Sequence, residues 1–329
     1  MAELSPKQKM RRQVNAIRMI HRMEKAARRV PVLLLVAVWY GASCFAITTS
    51  KMAMQIFAAP FCLCLCQFLV AVLVSRVAMS LNGDTPSPRG QESSVLWKIA
   101  ASYTMGFMLT NVAFSISSAP FVETIKSSEP ITTVLLAFLL LGETETAFSY
   151  VCLLPIVGGV ALASMGDMSF SALAFAVVQV SNLGFSGRAV FVKQLKSGHK
   201  AAASAKDDVE LFLNVHLLGL VFLVPAVATE LPALWAVATP ELLLNLGATM
   251  TFNGVFYTAY NLFSFLSQVS ASVHAVLNVF RRVVVITITT LFFSTPMGTQ
   301  NIVGVLVAVA GVLLFKWSKS APPPAKKAD

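Results

Sequence analysis

The sequence predicts an all-α integral membrane protein with ten transmembrane helices in two inverted five-helix repeats. Three observations carry that expectation: the composition, the placement of the charges, and a weak self-similarity at a fixed spacing. Of 329 residues, 56% are hydrophobic and only 12% are charged, about half the charge share of a soluble domain. The net charge of +10 resembles that of a nucleic-acid binder until it is located. Residues 1–30 hold nine Lys or Arg against Glu3 and Glu24, and the stretch from Lys316 onward holds four Lys against Asp329. Those flanks, +7 and +3, supply the whole excess, and the 285 residues between them balance at twelve basic and twelve acidic. No nucleic-acid surface is expected. Basic flanks stay in the cytosol, so both ends lie on one side and the number of spans is even.

Ten apolar segments follow, at about 31–50, 56–79, 97–116, 119–141, 146–165, 169–192, 211–230, 241–266, 269–293 and 297–318. Turn signals separate them: Asn82-Gly83-Asp84 with Pro86 and Pro88, Gly142-Glu143, Gly166-Asp167, Pro232, Pro240 and Thr295-Pro296. With residue 1 in the cytosol, the inner loops hold Arg76, Arg89, Lys98, Lys193, Lys196, Lys200 and Lys206, and the outer loops hold only Lys51. That asymmetry fits ten spans in this orientation. The division is then a basic cytosolic N-terminal segment at 1–30, a ten-helix transporter domain at 31–318, and a cytosolic tail at 319–329.

Sliding the chain by 152 residues places Ser118-Ala119 on Ser270-Ala271 and Gly159-Val160 on Gly311-Val312. Repeat one runs over about 31–165 and repeat two over about 169–318. Five spans per repeat is an odd number, so the second copy enters the membrane inverted. Inverted repeats are a mark of alternating-access carriers, with the cargo at the repeat interface near the midplane. The same offset lays Arg281 on Glu129, one helical turn from Lys126. The basic residues of spans four and nine are therefore expected to approach one another.

Span nine, Val276-Leu277-Asn278-Val279-Phe280-Arg281-Arg282, puts two adjacent arginines in the middle of an apolar run. A central Arg facing lipid costs about 3 kcal/mol on insertion scales, so the pair should face a protein-lined cavity. Adjacent helical side chains diverge by about 100°, which makes a spread clamp, and guanidinium forks suit phosphate oxygens. Span four places Glu123, Lys126 and Glu129 at intervals of three, followed by Pro130. Pro130 should bend the helix. Span six adds Arg188 in Ser181-Asn182-Leu183-Gly184-Phe185-Ser186-Gly187-Arg188. Lys126, Arg188, Arg281 and Arg282 against Glu123 and Glu129 leave +2, near the charge of a phosphate monoester, about −1.5 to −2 at neutral pH.

The run Thr124-Ile125-Lys126-Ser127-Ser128-Glu129-Pro130, the Ser181-Asn182 with Phe185 and Arg188, Tyr260-Asn261, and His274-Ala275-Val276 leading to Asn278 through Arg282 resemble the triose-phosphate/phosphate translocator family of the drug/metabolite transporter superfamily. The likeness extends from Trp39-Tyr40 to Lys316, and Ser294-Thr295-Pro296 with Asn301, Gly304 and Gly311 is most similar to the hexose- and pentose-phosphate branches. The resemblance implies a phosphate site at Lys126, Arg281, Arg282 and Thr110. It brings Arg188, Tyr260 and Phe107 to the rest of the cargo, and Glu123 and Glu129 balance charge. Phe107 stands where the family has a His that reads three-carbon cargo, and Arg281 replaces the more usual Lys.

The expected function is a secondary antiporter exchanging a sugar phosphate or related organic phosphate for inorganic phosphate. Its rival is a nucleotide-sugar carrier of the ER or Golgi, which the dilysine ending Lys326-Lys327-Ala328-Asp329 would suit. An enzyme is not expected, because all five Asp fall in loops or the tail and no zinc or nucleophile-elbow motif occurs. No cofactor or metal is expected. Cys62, Cys64 and Cys66 read as packing residues without a His or acid beside them. Membrane lipids are partners, and the sequence leaves a homodimer open. The location expected is a plastid envelope, an outer membrane of a complex plastid included, or the ER/Golgi, with both termini cytosolic.

Overall fold

The computed structural model describes residues 32–81, 83, 94–167, 170–197, 205–266 and 271–320. The basic segment 1–30, the end of the tail with Lys326-Lys327, most of the 82–93 turn, the middle of the loop after span six, and the His274 side chain lie outside the described residues. What is described is helical: α1 (Val32–Ile56), α2 (Pro60–Leu81), α3 (Ser94–Ile116), α4 (Ala119–Lys126), α5 (Glu129–Leu141), α6 (Ala147–Val151), α7 (Leu153–Met165), α8 (Ala172–Ser197), α9 (Ala205–Ala236), α10 (Pro240–Leu266), α11 (Ala271–Phe292) and α12 (Thr299–Ser320). Eight stretches among the described residues are long and apolar enough to cross a membrane. The other two long helices, α10 and α11, hold Asn245, Asn253 and Asn261, and Arg281 and Arg282. Leu73, Leu139, Leu154, Leu244, Leu291 and Leu306 are exposed around the outside, a surface that suits lipid and not water.

The fourth and fifth apolar segments, each expected as one helix, are each two. Pro130 has no N–H for the carbonyl of Lys126, so α4 stops there and α5 restarts at Glu129 with Pro130 in its first turn. Pro155 does the same to Val151, separating α6 from α7 at Cys152. Pro232 corrects the sequence reading in the other direction. Expected as a turn between segments, it lies inside α9, which runs on through Pro225 as well. One proline removes one helix bond, whereas a turn in apolar surroundings would strand several backbone groups. Gly142 does end α5 as expected, in the left-handed conformation with φ 66°.

Small residues set the closest crossings. A Cβ on Gly159 of α7 would sit 2.3 Å from the backbone N of Ala308 on α12, and one on Gly304 of α12 would sit 2.3 Å from that of Ala163. The two Gly-x-x-x-Ala faces interlock backbone to backbone. α3 and α8 meet likewise, where a Cβ on Gly184 would fall 2.8 Å from the N of Gly106.

Candidate functional site

Lys126 is the last residue of α4, and the break beside it is built rather than loose. Ser118 caps the helix start by accepting from the Phe121 N–H. At the other end Asn182 of α8 donates to the Ile125 carbonyl at 3.3 Å and to Ser128 Oγ at 3.2 Å. The interruption is therefore pinned to α8, and Lys126 with it. Its ammonium donates to Thr110 Oγ1 at 3.3 Å, sits 3.9 Å from Glu123 and lies 4.8 Å from the Phe185 ring centre. Thr110 is itself fixed on α3 by the Gly106 carbonyl and by Ser181 Oγ, each at 2.8 Å.

The adjacent arginines of α11 meet different surroundings. Arg282 Nη2 donates to Glu129 at 2.7 Å, and Nη1 is 3.7 Å from Glu123. Arg281 donates from Nε to Asn278 Oδ1 at 3.0 Å and stands 5.8 Å from the Tyr260 ring centre. Among the described residues no carboxylate forms an ion pair with Arg281 or Arg188. Arg188 lies 5.6 Å from the centre of the Tyr103 ring. Both α11 arginines are 9% exposed. Arg282 Nη1 and Arg188 Nε are buried donors without a hydrogen-bond partner, and leaving such a donor unpaired costs about 1–3 kcal/mol.

These groups line connected cavities. The largest, about 230 Å³, is bounded by Lys126, Arg188, Arg281 and Arg282 together with Tyr103, Phe107, Tyr260 and Glu129. A second, about 40 Å³, continues past Lys126 and Arg281 and is lined by Ser50, Gln67, Thr110, Asn111 and Glu123. A third, about 130 Å³, leaves Lys126 and Arg282 between α5, α11 and α12 and reaches Lys316 and Lys319. The convergence expected of spans four and nine is thus present, and Arg188, Tyr260 and Phe107 border the same chamber. Thr110 sits on the narrow side and reaches the cluster through Lys126. Four cations against Glu123 and Glu129 leave the lining of these two cavities with a formal excess of +2.

Sequence reading missed Tyr103, Trp39 and the Lys316 end of the third cavity. Tyr103 precedes Phe107 by one helical turn and so shares its face, a signal that was available. Lys316 was absorbed into the basic tail, and only the fold brings it to the cavity that Lys126 and Arg282 also line.

With this geometry in place, comparisons with known proteins add a family context. Residues 30–316 match the model of the Triose-phosphate Transporter family. The chain is 32% identical over 306 residues to phosphoenolpyruvate/phosphate translocator 1, chloroplastic, of Oryza sativa subsp. japonica, covering 89% of this chain and 73% of that one. It is 30% identical over 305 residues to the triose phosphate/phosphate translocator, non-green plastid, of Brassica oleracea var. botrytis, covering 90% and 74%. To glucose-6-phosphate/phosphate translocator 2, chloroplastic, of Arabidopsis thaliana it is 26% identical over 304 residues, covering 90% and 77%. Identity is higher to the phosphoenolpyruvate translocator than to the glucose-6-phosphate one.

Proposed function

The chain belongs to the Triose-phosphate Transporter family, and from that premise we propose that it exchanges an organic phosphate for inorganic phosphate across an organelle membrane by alternating access. The observation that carries the proposal is the meeting of Lys126, Arg281 and Arg282, with Arg188 behind them, around one chamber of about 230 Å³. In this reading Lys126, Arg281 and Arg282 bind the phosphoryl oxygens, and Thr110 orients Lys126. Glu129 and Glu123 hold Arg282 until the phosphate displaces part of that contact. Tyr103, Phe107, Tyr260 and Arg188 enclose the remainder of the cargo. The empty chamber keeps its excess positive charge, and closing it into low-dielectric surroundings is costly. A phosphate dianion removes the cost, so the carrier crosses loaded in both directions.

Ten spans are counted if α4 with α5 and α6 with α7 each cross once. The helix contacts support the inverted repeat. Adding five to each span number turns the packing of span three on six into that of eight on one, three on seven into eight on two, and four on six into nine on one. Spans two with seven, four with nine and five with ten pair with themselves, as a two-fold relation requires. Both termini then face the cytosol. The relatives' names, chloroplastic and non-green plastid, favour a plastid membrane, and the plastid envelope is our reading of it.

The test is counter-exchange in liposomes loaded with inorganic phosphate and offered triose, pentose and hexose phosphates, phosphoenolpyruvate and nucleotide sugars. Uptake of an organic phosphate that depends on internal phosphate is expected. Uptake that proceeds as fast into liposomes without internal anion defeats obligatory exchange, and preference for nucleotide sugars defeats the cargo assignment.

A further inference from the structure

His216 is wholly buried on α9, lines none of the three cavities, and plays no part in the exchange reading above. Its Nδ1 lies 2.6 Å from the Phe212 carbonyl, which can only accept, so Nδ1 carries the proton. A second proton would make a buried imidazolium that no described carboxylate pairs with. Nε2 is therefore an acceptor, and Tyr257 donates to it at 3.1 Å. The Tyr257 oxygen, 3.0 Å from the hydroxyl of Tyr103, then accepts from Tyr103. The chain runs one way, from Tyr103 at the chamber wall through Tyr257 to His216.

That direction has a consequence for the wall. Both phenol protons are spent inward, and both rings are held against Phe107, with centroids 4.8 Å away in each case. Tyr103 is also the ring beneath Arg188. Tyr103, Tyr257 and Phe107 therefore have no O–H left to donate toward the chamber. The anchor is set by Gly219, one turn beyond His216: a Cβ there would lie 2.4 Å from the Phe68 ring and 2.6 Å from Thr104 Oγ1, so only glycine lets α9 come this close. Phe68 in turn packs on the imidazole at 4.6 Å between centroids.

We propose that His216 is a positioning residue for cargo selection: through Tyr257 and Tyr103 it fixes the rings around Phe107 as a surface that donates no hydrogen bond, which disfavours polyhydroxylated phosphates. The proposal rests on the exchange function above and goes beyond it by naming a residue that touches no cargo. Cutting the chain frees a phenol hydroxyl to turn toward the chamber and read a sugar hydroxyl, a kind of contact that shifts selectivity strongly.

The experiment measures counter-exchange of glucose 6-phosphate and phosphoenolpyruvate on phosphate-loaded liposomes, with inorganic phosphate homo-exchange as the reference. His216→Leu should raise the uptake ratio of glucose 6-phosphate to phosphoenolpyruvate about fivefold or more, with the change in KM for the organic cargo and not in the maximal rate. Tyr257→Phe should reproduce it, and the double variant should go no further than either alone, because both cut one chain. His216→Gln, which restores an acceptor, should move the ratio back toward the parent value. An unchanged ratio in exchange-competent His216→Leu, or additive effects in the double variant, overturns the proposal. If His216→Leu does not fold, Tyr257→Phe decides it by the same ratio, and Tyr103→Phe, which removes the hydroxyl that the cut would free, should leave the ratio at the parent value. Absence of phosphate homo-exchange in the parent protein sinks the exchange function and this proposal together, whereas intact homo-exchange with an unmoved ratio sinks this proposal alone.

Discussion

The two sides of the cationic cluster share α1, α3, α4, α10 and α11, but α5 and α8 line only one of them and α2 only the other. Toward Trp39, Tyr103 and Asn261 the passage widens to about 230 Å³ and is walled by rings and cations. Toward Ser50, Asn111 and Gln67 it narrows to about 40 Å³, little more than a water's share of volume, about 30 Å³. Amides bridge the narrow side. Asn111 donates to Gln67 at 3.1 Å, Gln67 donates to Asn253 at 2.8 Å, and Asn253 Nδ2 lies 2.6 Å from the Ala46 carbonyl and 2.8 Å from Thr49 Oγ1. Four helices, α1, α2, α3 and α10, are stitched by that one chain. Beyond it Lys51 donates to the carbonyls of Phe114 and Ser117, each at 2.8 Å, at the end of α3. Glu230 of α9 accepts the Phe61 and Cys62 N–H groups at 2.9 and 2.8 Å, at the start of α2. Charge at a helix terminus of the opposite sign is favourable in each case. The lesson is that the side bridged by amides is the narrower one, so closure is expected there and cargo contact on the wider side with Arg188 and Arg282.

The largest expected effect comes from removing what both sides share. Arg281→Ala takes away the guanidinium that borders both cavities, and phosphate exchange in liposomes should fall at least about a hundredfold, in keeping with a loss of about 3 kcal/mol for a buried charged contact. Retention of a tenth of the parent rate would mean that the two sides do not meet at this residue.

Sharpening the seal calls for a change on the narrow side only. Asn253→Leu cuts the amide chain at its centre and leaves Gln67 and Ser50 with one partner fewer. With Cys44, Cys62, Cys64, Cys66 and Cys152 replaced and a single cysteine placed at Ser50, thiol labelling from the Lys51 side should be about tenfold faster in the Asn253→Leu background, the scale of one buried hydrogen bond to a polar network. Equal labelling rates would remove the amides as the closure.

A third change addresses the packing that keeps the comparison fixed. Gly159→Ala drives a methyl group into the backbone of Ala308, and the melting temperature in detergent should drop by several degrees, as about 1–3 kcal/mol of overpacking predicts. The smallest effect belongs to Phe107, which borders both cavities. Phe107→Ser should change the order of preference among organic phosphates by about threefold to tenfold while the parent rank of inorganic phosphate holds.

Much of the arrangement was legible in the sequence because charge is expensive in an apolar run. Lys126, Arg281 and Arg282 had to face a chamber, and a repeat offset was enough to bring them together. The helix breaks were half legible: Pro130 announced one, Pro155 announced the other unheeded, and Pro232 announced one that does not exist. A proline fixes only its own missing bond, and neighbouring packing decides whether the helix stops. The division of labour between Arg281 and Arg282 could not be read at all. The two residues are chemically identical and adjacent, and only the restart of α5 at Glu129 determines which of them is paired. The amide seal was equally hidden, since Asn111, Gln67 and Asn253 are far apart in sequence and carry no charge to betray them.

The backbone weld of Gly159 and Gly304 bears on how motion in this protein is best observed. Helices meshed main chain to main chain cannot slide without first separating, so α7 and α12 are expected to move as one unit. Fluorophores placed on α7 and α12 should therefore keep a nearly constant separation while cargo is exchanged.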